Sequence, residues 1–170
     1  MPETGCCTAA DSEDARKVAA KLDIPYYVLD YTSSFSENVI DNFIDMYSKG
    51  LTPNPCVECN RSVKFDHFID QAKKLNCEKV ATGHYAKIID NNGSKELHKA
   101  DYKEKDQSYV LHMLTSEKLE LIEFPLGTIS KPEVRQIAAS LDLKTAFKKD
   151  SQDICFVGKN DYRNFVSSRM

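Results

Sequence analysis

Two prolines separated by one residue and followed at once by a C-x-x-C pair most constrain what this chain can become. The stretch from Leu51 to Phe65 reads LTPNPCVECNRSVKF. Pro53 and Pro55 fix their own φ and bias Thr52 and Asn54 toward extended backbone. A stiff loop therefore delivers Cys56 and Cys59 to one place. Asn60 reads as the N-cap of the helix that follows, which sets Cys59 beside a helix N-terminus. The partial positive charge there stabilises a thiolate, the reactive form of cysteine. On the residues alone, the pair also fits half of a structural zinc site or two inert thiols.

The rest of the chain alternates helical periodicity with short apolar runs. Ala15, Val18, Ala19 and Leu22 fall at helical spacing behind Asp11 and Ser12, which can cap, and Ile24-Pro25 ends that helix. Tyr26 to Leu29 reads as a buried strand. Val39, Ile40, Phe43, Ile44 and Tyr47 mark a second amphipathic helix that stops at Gly50. Phe65, Phe68, Ile69, Ala72 and Leu75 mark a third. Lys79 to Thr82 is a strand running into Gly83-His84-Tyr85, the look of a ligand-bearing carboxyl end. Asn91-Asn92-Gly93 signals a hairpin between Tyr85–Ile89 and Glu96–His98. Asp106 can cap a helix through Tyr109, Val110 and Met113. Ser130 and Glu133 form a capping box around Pro132, ahead of a helix expected to bury Val134, Ile137, Ala138 and Leu141. Ile154 to Val157 is another apolar run, and a short helix closes the chain around Tyr162 to Val166. This pattern predicts one α/β domain around a mostly parallel sheet.

Composition narrows the function. With 170 residues the chain suffices for one core, and no apolar run reaches membrane-spanning length. Six cysteines without a signal pattern argue for a reducing, cytoplasmic setting, where cysteines are more often catalytic or metal-binding. The adjacent Cys6 and Cys7 are expected to be structural or incidental. A net charge of −3 gives no global attraction to nucleic acid, so any such site is a local patch. The six glycines, at 5, 50, 83, 93, 127 and 158, form no glycine-rich phosphate loop. An α/β unit normally opens on a strand, whereas this chain opens on a helix. We therefore expect a missing leading βα unit and an artificial or misassigned start at Met1.

The segments GCCTAADSEDARKVAAKLDIPYYVLD, TPNPCVECNRSVKF, ATGHYA, KDQSYVL, FPLG and KKDSQDICFVG stand here in the order seen in the tRNA-specific 2-thiouridylase family. The chain resembles that family along essentially all of its length. The resemblance implies a fold of the pyrophosphate-loop, adenine-nucleotide α-hydrolase-like class. It implies ATP, with magnesium, used to adenylate carbon 2 of a wobble uridine in tRNA before sulfur replaces the oxygen. It also implies a cytoplasmic enzyme supplied by a sulfur donor such as a cysteine desulfurase or a relay protein. Two departures stand out. The family's leading strand with its SGGxDS-type loop and its β-rich C-terminal domains are not in this sequence. Residues 1–170 thus look like part of the catalytic domain, expected not to thiolate tRNA alone. Family members also often carry Asp, as a general base, where this chain has Cys56.

Residue by residue, the resemblance makes Cys59 the nucleophilic thiol and Cys155 the carrier of the persulfide sulfur, the two closing a disulfide. On pattern alone Cys155 reads rather as a buried core cysteine in an apolar strand, and the polar run Lys149-Asp150-Ser151 with the resemblance reverses that preference. Asn54, Pro55 and Cys56 match the segment that touches the target base, and an ordinary Pro/Asn turn is the alternative. Gly83 matches an ATP contact, where the lack of Cβ lets backbone approach, and otherwise reads as a turn glycine. His84 is expected near the same site. Lys105, Asp106 and Gln107 match a tRNA-contacting stretch that otherwise reads as a solvated loop. Lys64, Lys148 and Lys149 are further candidate phosphate contacts. Cys56, Cys59 and Cys155 could together hold a 4Fe–4S cluster, as in some sulfur-transfer relatives. The exchange of a carboxylate for the Cys56 thiol favours that reading over a plain persulfide–disulfide cycle. A non-catalytic zinc- or cluster-holding module and a tRNA-binding fragment without ATP chemistry are the competing readings.

Overall fold

The computed structural model describes residues 8–148, 154–157 and 161–169. Helix α1 (Ala9–Lys21) starts one turn earlier than Asp11 and Ser12 suggest. Thr8 is its N-cap. The Thr8 hydroxyl accepts from the Asp11 backbone N–H at 3.2 Å, and the Asp11 carboxylate accepts from the Thr8 N–H at 3.0 Å. Asp11 is thus the reciprocal partner in a capping box. Only Ala19 of its apolar stripe is buried, and Leu22 is exposed.

Tyr26 to Leu29 is not a buried strand. No strand is assigned there, and Tyr27 and Val28 are 63 % and 68 % exposed. An apolar run becomes a strand only with a neighbour to bond, and the described residues supply none. Next comes one continuous helix built from α2 (Thr32–Phe35), a π-helical turn Ser36–Ile40 and α3 (Asp41–Ser48). It buries Val39 and Phe43 and stops at Gly50, whose φ of 73° suits a residue without Cβ.

The C-x-x-C helix runs from α4 (Pro55–Glu58) through a π-helical segment, Cys59–His67, into α5 (Phe68–Lys74). The expected Asn60 cap is wrong. Asn54 is the N-cap, with extended backbone, and its side chain accepts from the Cys56 N–H at 3.1 Å. Pro55 takes the first helical position, where no N–H is needed. Asn60 is 2 % exposed in mid-helix, and its Nδ2 donates to the Val110 carbonyl at 3.1 Å. The Ser62 hydroxyl donates to the Glu58 carbonyl at 2.7 Å. That bond occupies an acceptor the α-helical ladder would use, and it coincides with the wider π turn.

Strand β1 (Val80–Ala81) later pairs in parallel with β4 (Ile122–Glu123), Val80 opposite Ile122. Between them lies the antiparallel hairpin of β2 (Ala86–Asn91) and β3 (Ser94–Lys99). Asn92 and Gly93 both have positive φ, 54° and 86°, as a two-residue type I′ turn requires. The parallel element is therefore smaller than the sequence suggests. The core gathers Phe65, Ile69 and Ala72 from the C-x-x-C helix with Val80, Ala86, Val110, Leu111, Leu119, Ile122 and Phe124.

Asp106 caps no helix through Met113. Residues Ser108–Val110 make a short 3-10 turn, and Asp106 accepts from the Ala100 N–H and the Ser108 hydroxyl, each at 2.8 Å. After α6 (Ser116–Leu119) comes α7 (Lys131–Ser140), with the expected Ser130–Glu133 capping box. Its apolar stripe is not buried as expected, since Ile137 and Leu141 are 51 % and 46 % exposed. Helix α8 (Tyr162–Ser167) closes the described chain. No helix is long and apolar enough to cross a membrane among the described residues.

Candidate functional site

A cavity of about 460 Å³ opens where β1 ends, lined by Tyr31, Val63, Lys64, Phe68, Ala81, Thr82, Gly83, His84 and Gln107. Its size lies within the usual range for small-molecule sites. Three of its walls, Val63, Lys64 and Phe68, come from the helix that begins with Cys56 and Cys59. Cys59 opens the π-helical segment that carries Val63 and Lys64, so the thiol and part of the cavity lining share one helix. Among the described residues no carboxylate lines the cavity and Lys64 does, so this lining favours a neutral or anionic guest.

His84 is buried at the cavity wall. One ring nitrogen, Nδ1, lies 2.7 Å from the Thr82 hydroxyl, and the ring packs against Phe65 and Phe124. Burial, with the nearby Lys64 charge, holds its pKa down to about 4, so the imidazole is neutral at physiological pH. Tyr31 stacks on His67 at 5.8 Å, and its hydroxyl is buried with no partner among the described residues. A buried hydroxyl without a protein acceptor that also lines a cavity is a donor available to a guest. Sequence reasoning missed Tyr31, Thr82 and Phe68 as lining residues. Tyr31 lies beyond the Tyr26–Leu29 run and Phe68 sits on a core stripe, so only the closing of the fold marks them.

Gly83 is exposed at the cavity rim. A Cβ placed there would meet only the Leu126 side chain, at an ordinary 3.8 Å. The protein's own packing therefore does not demand glycine at this position. Gln107 is locked to Tyr85 in both directions. Its backbone N–H donates to the Tyr85 carbonyl at 2.8 Å, and its side-chain Oε1 accepts from the Tyr85 N–H at 3.1 Å. Asp106 and Gln107 thus hold the loop behind the cavity, and Lys105, in the 3-10 turn before them, is half-buried.

Asn54 and Cys56 are exposed at the start of their helix, Pro55 is buried and Cys59 is half-buried. Cys155 is half-buried in the four-residue turn Ile154–Val157, closed by the Val157 N–H donating to the Ile154 carbonyl at 3.0 Å. It is neither in a strand nor sealed in the core. Among the described residues no three His, Cys, Asp or Glu side chains converge on a metal position. Cys56, Cys59 and Cys155 as placed do not form a cluster-binding set, and the expected 4Fe–4S reading is without support. A helix sets Cys56 and Cys59, but the third thiol comes from a separate turn with its own anchor.

Lys148, a further candidate phosphate contact, stands in an ion-pair cluster. Its ammonium pairs with Asp11 at 2.7 Å and Asp14 at 2.6 Å, joining α1 to the segment after α7. That pairing pulls the Asp11 carboxyl well below its ordinary range, through Lys148 first and the Thr8 bonds second. Lys149, the polar run Lys149-Asp150-Ser151, Cys6 and Cys7 lie outside the described residues.

Comparison with known proteins sets this geometry in a family. Residues 1–159 match the family described as the tRNA methyl transferase HUP domain. The chain is 49 % identical over 165 residues to the tRNA-specific 2-thiouridylase MnmA of Rickettsia peacockii, covering 97 % of this chain and 45 % of that protein. It is 52 % identical over 169 residues to the protein of the same name from Symbiobacterium thermophilum, covering 98 % and 43 %. The chain thus spans a little under half the length of these curated relatives. A match of that extent, on an α/β fold with its cavity at the end of a parallel strand, shows that this chain belongs to the tRNA methyl transferase HUP domain family, with its adenine-nucleotide α-hydrolase-like architecture.

Proposed function

We propose that this chain forms the nucleotide-binding and thiol-bearing part of an ATP-dependent tRNA-uridine 2-sulfurtransferase. One observation carries the reading. A single helix presents Cys56 and Cys59 at its start and walls the cavity with Val63, Lys64 and Phe68 one to two turns later. The cavity takes the nucleotide. Tyr31 offers its hydroxyl, neutral His84 packs without adding charge, Gly83 lets phosphate approach backbone, and Lys64 faces negative charge.

The chemistry then needs two thiols. The uridine O2 attacks the α-phosphorus of ATP and pyrophosphate leaves, which activates carbon 2. The outer sulfur of a persulfide on Cys155, loaded by a sulfur donor such as a cysteine desulfurase or relay protein, attacks that carbon, and AMP leaves with the oxygen. The Cys59 thiolate attacks the Cys155 sulfur. The persulfide S–S bond breaks, its electron pair stays on the sulfur now bound to carbon 2, and a Cys59–Cys155 disulfide forms. A dithiol reductant supplies two electrons to reopen it. Asn54, the Pro55 backbone and Cys56 border the extruded base, and modification of a base requires such extrusion. Lys105 meets tRNA phosphate, on a loop whose shape Asp106 and Gln107 hold.

Titration of the folded chain with a fluorescent ATP analogue tests the reading. Wild type is expected to bind, and Gly83→Val or Lys64→Glu to bind at least about tenfold more weakly. Salt-sensitive tRNA binding without any nucleotide binding would instead identify a tRNA-binding fragment. Thiolation by this chain alone is not expected, because its 170 residues contain no glycine-rich phosphate loop.

A further inference from the structure

Cys155 belongs to a turn of four residues, and what holds that turn is visible in its neighbour. The bond between Val157 N–H and Ile154 carbonyl makes Cys155 and Phe156 the two central positions. The Phe156 ring is set among three others. Its centroid lies 5.3 Å from Phe43 at 90°, 5.7 Å from Phe35 at 77°, and 5.3 Å from Phe165 at 56°. Edge-to-face contacts of this kind fix a ring in orientation as well as in depth. Phe43, at the bottom of the socket, is 1 % exposed.

Two of the socket's walls, Phe35 and Phe43, stand on the continuous helix Thr32–Ser48. The start of that helix is also tied to the C-x-x-C helix. The Ser34 hydroxyl, beside Phe35, lies 2.7 Å from His67 Nε2, and Tyr31 stacks on the same imidazole. His67 ends the π-helical segment that Cys59 begins. A physical path therefore runs from Cys155 through Phe156 and Phe35 to Ser34, then through His67 to the helix of Cys59.

We propose that Phe156 is a positioning residue: by seating its ring in the Phe35–Phe43–Phe165 socket it sets where Cys155 presents its sulfur to Cys59. The proposal rests on the two-thiol reading above. Thiol exchange requires the attacking sulfur in line with the bond it breaks, and a short turn held by one anchored ring supplies that alignment from a segment distant in sequence. If Phe156 only filled space, its loss would lower stability without changing how often the two thiols meet.

The test is the effective concentration of one thiol for the other. In a chain where Cys6, Cys7, Cys56 and Cys77 are Ser, Cys59 and Cys155 are equilibrated in glutathione buffers, and the disulfide is counted by mass spectrometry. Two glutathiones are released per protein disulfide formed, so the oxidant is accounted for. Phe156→Ala is expected to lower the effective concentration about tenfold or more, and Phe156→Leu about threefold. Tyr162→Ala removes the Tyr47–Tyr162 stack at 5.5 Å in the same region without touching Phe156. It is expected to lower Tm while changing the effective concentration by less than about twofold. Circular dichroism confirms folding of each variant, and if Phe156→Ala does not fold, Phe156→Leu decides. A folded Phe156 variant with wild-type effective concentration would overturn the positioning role while leaving the thiol pair standing. A wild-type chain that forms no Cys59–Cys155 disulfide at any glutathione ratio would overturn the two-thiol reading itself, and the positioning role with it.

Discussion

Asn60 separates two accounts of the C-x-x-C helix, and Asn60→Asp tells them apart. Were Asn60 an N-cap, Asp and Ser would serve about as well, and the change would stay within about 0.5 kcal/mol. The structure instead has its Nδ2 donating to the Val110 carbonyl at 3.1 Å, with the residue 2 % exposed. A carboxylate cannot donate there. The Val110 carbonyl loses its partner, at about 1–3 kcal/mol, and the introduced acid must either remain buried as a charge or stay protonated. The expected destabilisation at pH 7 is therefore about 3 kcal/mol or more, a fall in Tm of about 6–12 °C for a chain of this size. The buried acid has its pKa raised above the unfolded value of about 3.9, so the folded state binds the proton more tightly. The variant's deficit should hence grow as pH rises from about 4, by up to about 1.4 kcal/mol per unit, until the folded pKa is passed. Urea unfolding of wild type and variant at pH 4.5, 6 and 7.5 measures this. A loss under about 0.5 kcal/mol, flat with pH, would refute the buried-donor account.

Gly127→Ala places a Cβ 2.1 Å from the Ala86 carbonyl oxygen and 2.9 Å from its carbon, backbone that cannot step aside. We expect a loss at or above the top of the usual overpacking range, about 3 kcal/mol, by denaturant unfolding, and a tolerated alanine would show that β2 moves easily. His84 remains unprotonated in the folded chain down to about pH 4, whereas the unfolded chain takes the proton near 6.5. Its contribution is thus complete above pH 6.5 and falls away towards pH 4, by about 3 kcal/mol in total, and His84→Gln should flatten that part of the stability profile. Lys148→Ala leaves Asp11 and Asp14 without their shared cation on an exposed face. We expect little lost stability, since exposed ion pairs are screened by solvent, and no change in tRNA binding, and a clear loss of tRNA affinity would mark Lys148 as a phosphate contact.

Much of the secondary structure was legible because its causes are local. The Asn92-Gly93 turn and the Ser130–Glu133 box each depend on residues within a few positions of one another. The stripe Phe65, Ile69 and Ala72 was readable for the same reason, since helical periodicity brings them onto one face. Tyr26–Leu29 failed because a strand exists only through a neighbour, and periodicity names no neighbour. Asn60 failed because a cap and a buried cross-chain donor call for the same amide, and only the position of Val110 decides between them.

The sequence by itself determined where the cysteines stand and that their motifs follow a family's order, since side-chain type and motif spacing survive without coordinates. It could not say that Lys64 and Lys148 have different fates, one lining a cavity and the other clamped by Asp11 and Asp14. Nor could it assemble Tyr31, Val63, Thr82 and Gln107 around one cavity, or seat Phe156 between Phe35 and Phe43. Those facts are distances between residues far apart along the chain. Side-chain chemistry is written locally, but the cost and benefit of bringing groups together appear only when packing closes the loops between them.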